Sequence, residues 1–503
     1  MLQNIIPDPK DIRIYQKLGR VDARALDTVD QLLLILPAKP PASIFGKLPQ
    51  GASLQAVYRK HAADATPAFT TRLANKKHTL VVGGTLAPDA TAFEQLTLGR
   101  KLVAAATAQK AGTLGICAVG FETAAQAAIV NNMLAAALAA AFAMPAYKRK
   151  AAPPRIRTVR LLGVDEKLDT SRTEAEAQGN NLARWLTALP PNYLDADNYA
   201  KLAARLAREN GWQCKRFGTK ELEKLGCGAF LAVAQGNEND SACILRLRYR
   251  PGPKKAAADL SLVGKGIIFD TGGTNLKPFE GMLYMHGDMQ GSAVALGTFL
   301  AISEMQLPIA VDCWLAITEN RTGPTAYKSQ DVVTAANGKT IQTVHTDAEG
   351  RMALADALVL ASREQPGIIF DYATLTGSCI RALTTRYSGV FTNRPEWHGQ
   401  LTDIGARSGE RVWPFPIGDE FMEDLKSETA DFMQCSVDGM GDHMLAASFL
   451  AEFVENDVPW VHMDLAAGDN KNGLGHVATK FTGFGVRYTM SAILDENLLK
   501  ANN

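Results

Sequence analysis

The sequence predicts an α/β fold in two units. A smaller α/β domain is expected over 1–170 and a larger one over 191–503, joined by a connecting helix over 171–190. Three observations predict it. Short apolar runs alternate with helical patterns through both parts, which implies mostly parallel sheets covered by helices. With 503 residues, 47% of them hydrophobic and 21% charged, the chain is long enough to bury sizeable cores. A long helical pattern also stands between the two α/β stretches and stops at Pro190 and Pro191.

The elements follow in order. The opening MLQNIIPDPKDIRIY has no apolar core of signal-peptide length, so no export signal is expected. Strands are predicted over 78–82 (HTLVV) and 114–119 (LGICAV), and helices over 91–108 and 123–143. Asn131 and Asn132 interrupt the apolar stretch 124–144. What remains is too short to cross a bilayer, so a packed Ala-rich helix is expected and no membrane partner. KRKAAPPR at 148–155 reads as a solvated loop, followed by a strand over 158–164. The connecting helix is placed over 169–189, with Thr170 or Ser171 as its cap. Beyond it, strands are expected over 242–249, 260–269, 309–317, 367–374 and 460–465. Helices are expected over 198–210, 288–304, 351–364 and 446–455. In such sheets ligands bind at the carboxyl ends of the strands.

Charge and cysteine usage narrow the function. Lys plus Arg number 53 and Asp plus Glu 52, a net charge of +1 that removes the general electrostatic case for nucleic acid or a membrane surface. The seven cysteines are scattered, odd in number and form no C-x-x-C. Free thiols in a reducing, cytoplasmic compartment fit better than a disulfide framework or a cysteine zinc site.

Polar residues gather where buried strands end. The run 260–269 contains Lys265 and leads into Asp270, Thr271-Gly272-Gly273 and Lys277. Asp288 stands at the start of an apolar helical pattern, and Asp347, Glu349 and Arg351 precede another. Taken singly, Asp288 is a helix cap, Asp-Thr-Gly-Gly a turn, and Lys277 or Arg351 a surface cation. Together they put four carboxylates at one sheet edge, and burying those without cations costs several kcal/mol per ion. Divalent metal is the natural addition, and carboxylate-rich ligation suits Mg, Mn or Zn.

These residues carry a resemblance. VGKGIIFDTGGTNLKP at 263–278 and TDAEGRMALADAL at 346–358 resemble the two signatures of the leucyl aminopeptidase, or cytosol aminopeptidase, family of dinuclear metallopeptidases. AEAQGNNLARWLTALPPNYL at 175–194, ATLTG at 373–377 and the stretch 459–487 resemble it too, so the likeness spans most of the chain after residue 170. The first third is similar in architecture and order alone.

The resemblance implies a leucyl-type metalloaminopeptidase whose larger domain is catalytic. It implies two divalent ions, zinc or manganese with magnesium a further candidate. Asp270 and Glu349 would bridge them, Asp347 would complete one site through its carboxylate and main-chain carbonyl, and Lys265 with Asp288 would complete the other. A ligating lysine must be a neutral amine, which burial beside two cations favours. Lys277 would face the developing oxyanion, and Arg351 would hold a bicarbonate that shuttles a proton from the bridging water to the leaving amine. Thr374, Leu375 and Gly377 would bind the peptide backbone. Met285, Thr374 and Ala466 would line the pocket for the first side chain, with Leu and Met favoured. The resemblance also implies peptide substrates and a homo-oligomer, expected to be a hexamer, while the net charge of +1 argues against a nucleic-acid partner.

The sequence departs from the family pattern at His345, His286, Gln290, His443 and Asp469. The two histidines beside the motifs, His345 and His286, are expected to orient or pack rather than ligate. A two-metal phosphoesterase is the rival enzyme class, but such sites recruit several histidines and this chain has eight in all. A binding protein without catalysis is the other rival, and the complete ligand set argues against it.

Overall fold

The computed structural model describes residues 12–60, 68–108, 112–149, 156–252, 257–496 and 498–499. The expectations for residues 1–11 and for 150–155 of the basic loop therefore lie outside the described residues. The fold is α/β throughout, as expected, and is built on two large sheets.

The first sheet has six strands: β1 Arg13–Leu18, β2 Gln31–Pro37, β3 Phe69–Arg72, β4 Leu80–Leu86, β5 Thr113–Ala118 and β6 Thr158–Val164. Their order is β1-β6-β5-β2-β4-β3, parallel except for the β3–β4 pair. Helices α1 Ala92–Thr107 and α2 Thr123–Ala141 pack on it. Thr91 caps α1 in a reciprocal box with Glu94. Helix α2 stops two residues short of its expected end at 143, where Phe142 turns to extended backbone. At 19 residues it is long and apolar enough to cross a membrane by length and composition, yet 61% of its most apolar 18-residue stretch is buried within the protein. Ala residues bring it close to α1, so it serves as a core helix.

The connecting helix α3 runs over Ser171–Thr187. Thr170 precedes it, but no side chain caps it. It is buried along most of its length because both units pack on it. The buried Arg184 shows this, donating to the Ala139 carbonyl of α2 at 3.2 Å and to Thr479 Oγ1 at 3.1 Å.

The second sheet has eight strands. In chain order these are β7 Gln213–Gly218, β8 Cys243–Tyr249, β9 Leu260–Asp270 and β10 Val311–Asn320, then β13 Ile369–Ala373, β14 Ser388–Thr392, β15 Val412–Pro414 and β17 Trp460–Asp464. The intervening β11 Val332–Thr334, β12 Thr340–Gln342 and β16 Phe432–Met433 form a small separate sheet. The large sheet has the order β15-β14-β17-β13-β9-β10-β8-β7, and its four middle strands are parallel. Their apolar runs are buried on both faces, by α4 Gln290–Glu304 on one side and α5 Glu349–Arg363 on the other. The parallel strands end on one edge, where α6 Gly377–Leu383 follows β13.

One helix is displaced from its expected place. The helix predicted over 446–455 is α7, Asp442–Ala451, because Gly441 takes a left-handed φ of 63° and lets the chain turn into a helix at Asp442. The last helix among the described residues is α8, Val486–Leu494, which the expectations above do not include.

Candidate metal centre

The site is assembled from loops that leave the middle strands. β9 delivers Lys265 from within the sheet and Asp270 at its end. The chain then turns through Gly272 and Gly273, whose φ angles of 85° and 67° favour glycine. A Cβ on Gly273 would come within 2.9 Å of Thr346 Oγ1. The turn folds back so that the Lys277 N–H donates to the Thr271 carbonyl at 2.9 Å, which aims Lys277 at Asp270. From the other side, the loop before α5 brings Asp347, and α5 itself opens on Glu349. Gly350 lets them close in, since a Cβ there would lie 2.6 Å from Lys265 Nζ.

The side chains form two linked clusters. Lys265 Nζ lies 2.9 Å from Asp288 Oδ2 and 3.0 Å from Glu349 Oε1, and donates to the Thr374 carbonyl at 2.9 Å. Lys277 Nζ lies 2.9 Å from Asp270 Oδ2 and also pairs with Asp347. Carboxylate oxygens of Asp270, Asp347 and Glu349 all fall within 4.8 Å of one another. Asp288 does not cap its helix. The helix begins at Gln290, and Asp288 Oδ1 instead accepts from Thr374 Oγ1 at 2.7 Å.

Burial pushes the carboxyls of Asp288, Glu349 and Asp347 above their ordinary range, and neighbouring carboxylates add to the push. Burial alone would lower Lys265 and Lys277, but the surrounding carboxylates outweigh it and hold both ammonium groups above their usual range. Four carboxylates face two ammonium groups, so two negative charges lack cations. Glu349 Oε2 is buried with no hydrogen-bond partner. Clustered hard oxygens, surplus negative charge and an orphaned acceptor are what a divalent ion satisfies. A cation there would also reverse the field that now favours protonated Lys265.

A cavity of about 400 Å³ opens over this cluster. Lys265, Asp270, Lys277, Met285, Asp288, Asp347, Glu349, Thr374, Leu375, Gly377 and Ala466 all line it, so the structure brings eleven of the singled-out residues together. Arg351 is not among them. It lies behind Glu349, 2% exposed, with Nη2 donating to Asp442 Oδ1 and Oδ2 at 2.9 and 2.7 Å and Nη1 donating to the Gln434 carbonyl at 3.2 Å. The guanidinium that the resemblance assigns to bicarbonate is thus already engaged by a carboxylate of the chain. The residues present do not fit an outside anion at that place.

The departures from the family pattern are accounted for singly. His345 Nδ1 accepts the Asp347 N–H at 3.3 Å. His286 packs edge-on to Phe481, and His443 Nδ1 pairs with Ser378 Oγ at 2.9 Å. Gln290 Nε2 donates to the Gly468 carbonyl at 2.9 Å, and Asp469 pairs with Lys480 at 3.1 Å on the cavity wall. Among the described residues the converging carboxylate group includes no histidine.

Sequence reasoning missed several residues that support the site. Asn320 closes β10 and donates to Asp270 Oδ1 at 2.8 Å and to the Thr346 carbonyl at 3.0 Å. Tyr327 holds the same carbonyl at 2.9 Å. Asp464 closes β17, accepting from the Leu375 N–H at 3.1 Å and Thr376 Oγ1 at 2.7 Å. Asn320 and Asp464 both end buried strands, the signal that picked out Asp270. Tyr284, Ile380 and Phe481 complete the cavity wall.

A parallel-centred α/β sheet with carboxylates and lysines converging beyond its middle strands defines a class of proteins that hold divalent ions at a sheet edge. Within that class the chain belongs to the cytosol aminopeptidase family, whose catalytic domain matches residues 181–490. A probable cytosol aminopeptidase of Persephonella marina is 38% identical over 321 residues, covering 64% of each chain. One of Solibacter usitatus is 42% identical over 296 residues, 59% of this chain and 60% of the relative. The alignment to the Persephonella relative thus spans 64% of that protein's own length. A tomato leucine aminopeptidase mutant shares the fold with a TM-score of 0.85 at 24% identity, covering 98% of this chain and 97% of that one. The bottromycin maturation enzyme BotP, solved in complex with Mn, has a TM-score of 0.79 at 28% identity, covering 94% of this chain and 100% of that one.

Proposed function

We propose that the chain is a metal-dependent aminopeptidase that releases N-terminal residues, Leu- or Met-like ones preferred, from short peptides. The observation that carries it is the convergence of Asp270, Asp347 and Glu349 with Lys265, Lys277 and Asp288 on one wall of the cavity. Asp270 and Glu349 would help to hold two divalent ions, zinc or manganese. Asp347 would complete one position, and Lys265 with Asp288 the other. Bound there, the ions supply a nucleophile at neutral pH and polarise the scissile carbonyl.

The chain's own residues do the rest. Lys277 presents an ammonium to the cavity, where it stabilises negative charge developing on the carbonyl oxygen. The free α-amino group would be received beside Asp288, at the position that Asp288 completes with Lys265, and this sets the register of the first peptide bond. The Leu375 N–H is already given to Asp464, so the Leu375 carbonyl is what remains for the peptide backbone beside Gly377. Met285 and Ala466, with Ile380 and Phe481, wall an apolar space for the first side chain. No outside anion enters this reading, because Asp442 holds Arg351.

The reading includes a cytoplasmic homohexamer. Exposed apolar residues of the segment 276–284 support an assembly: Leu276, Phe279, Leu283 and Tyr284, with Phe279 72% exposed.

A free and an N-acetylated Leu dipeptide, tested with zinc- or manganese-loaded protein, separate this reading from its rivals. The free peptide is expected to be cleaved and the blocked one left intact. Equal turnover of the two would overturn the reading.

A further inference from the structure

Arg351 lies two residues into α5, directly behind Glu349. A guanidinium sealed from solvent needs a counter-charge close by. Asp442 supplies it. Both of its oxygens accept from Arg351 Nη2. Asp442 is also the first residue of α7, where the helix dipole and the free N–H groups of the first turn favour a negative charge. The bidentate contact with Arg351 is what holds this carboxylate. Its field reaches His345, whose ring accepts the Asp347 N–H, so the pair stands beside the carboxylate cluster.

A bicarbonate ion offers a guanidinium what Asp442 already offers, one negative charge shared over oxygens spaced for its N–H groups. The two cannot occupy the same face of Nη2. An ion set alongside would place a second anion against Asp442. Arg351 Nε is the guanidinium nitrogen left without a partner, and it too is sealed from solvent.

We propose that Asp442 is a built-in anion. Its carboxylate takes the place beside Arg351 that an exogenous bicarbonate would fill, and it acts as a positioning residue that holds Arg351 and the start of α5 in place. A tethered carboxylate forgoes the association entropy that a free ion must overcome. The site therefore works without bicarbonate and does not bind it. Where activity is read, the proposal rests on the aminopeptidase reading above.

The test uses zinc-loaded protein with two readouts. Peptidase rate is measured in carbon-dioxide-stripped buffer with and without added bicarbonate, and binding of ¹³C-bicarbonate is followed by NMR line broadening. The wild type is expected to show the same rate in both buffers and no Arg351-dependent broadening. Asp442→Ser is expected to lose on the order of tenfold in kcat, as a buried charge left unpaired implies, and to regain it with bicarbonate. It should also broaden the ¹³C line, an effect lost in Asp442→Ser/Arg351→Met. Stimulation of the wild type by bicarbonate would overturn the proposal, as would a folded Asp442→Ser that neither binds nor responds. If that variant does not fold, the two wild-type measurements decide. A wild type with no peptidase activity overturns the aminopeptidase reading, and the NMR arm then decides this one.

Discussion

Lys277 carries an ammonium between Asp270 and Asp347 and faces the cavity. Replacing it with Ala removes one donor to developing charge and leaves every carboxylate in place. Lys277→Ala is expected to lower kcat by on the order of 10²–10³ while metal content and substrate binding persist. A raised KM with kcat intact would instead assign Lys277 to ground-state binding. Asp347→Ala and Glu349→Ala remove oxygens from the cluster itself. Both are expected to lose bound metal, read by elemental analysis of the purified protein, and nearly all activity with it. The residues in these predictions were legible in the sequence because they stand at the ends of apolar runs, where a charge is conspicuous. Asp442 and Tyr327 were not, and Asn320, though it too ends a buried strand, carries no charge to make it conspicuous. Asp442 meets Arg351 across 91 positions and Asn320 meets Asp270 across 50, and no local pattern records such contacts.

Helix contact is where single atoms decide the fit. Gly179 of α3 and Gly297 of α4 face each other so closely that a Cβ on Gly297 would lie 2.4 Å from the Gly179 carbonyl oxygen. The reciprocal Cβ on Gly179 would lie 2.3 Å from the Gly297 carbonyl oxygen. Backbone, not a flexible side chain, is what each would strike. Gly297→Ala is expected to force the helices apart and cost roughly 1–3 kcal/mol, as overpacking does. A denaturation midpoint equal to the wild type would refute the tight contact. The parallel strands and long helices showed in the sequence through apolar runs and helical periodicity. The edge strand β7, QCKRFG, did not, because four of its six residues are exposed and it buries little apolar surface. β2, QLLLILP, is a strand absent from the expectations above, although its apolar run is buried along nearly its whole length. The start of α7 lies ahead of its apolar run because Gly441, in a left-handed conformation, turns the chain into the helix at Asp442.

At the scale of the whole molecule, polar side chains tie the two sheets' units together. Arg487 of α8 pairs with Glu176 of α3 at 2.7 Å and donates to Asn132 Oδ1 of α2 at 3.3 Å. Sedimentation is expected to give a hexamer at micromolar concentration, and a monomer there would refute the assembly. Stability should also carry a pH signature from this seam. Glu410 Oε2 accepts the N–H groups of Gly485 and Tyr488, each at 2.8 Å, and so holds the start of α8. Burial pushes its carboxyl from 4.5 up to about 7, even though those N–H groups and Arg487 pull the other way. Below about 4.5 the group is neutral folded or unfolded and adds no pH dependence. Between 4.5 and about 7 the unfolded chain releases the proton while the folded chain keeps it, so stability falls as pH rises through this window. Glu410→Gln keeps an acceptor for the N–H groups but cannot titrate. Melting temperatures of the wild type and Glu410→Gln, measured at the acid and alkaline ends of that window, test the assignment. The wild type is expected to lose more stability between the two ends than the variant. Parallel profiles would show that Glu410 ionises in the fold as easily as in water, and that its burial is not what governs the stability of this corner.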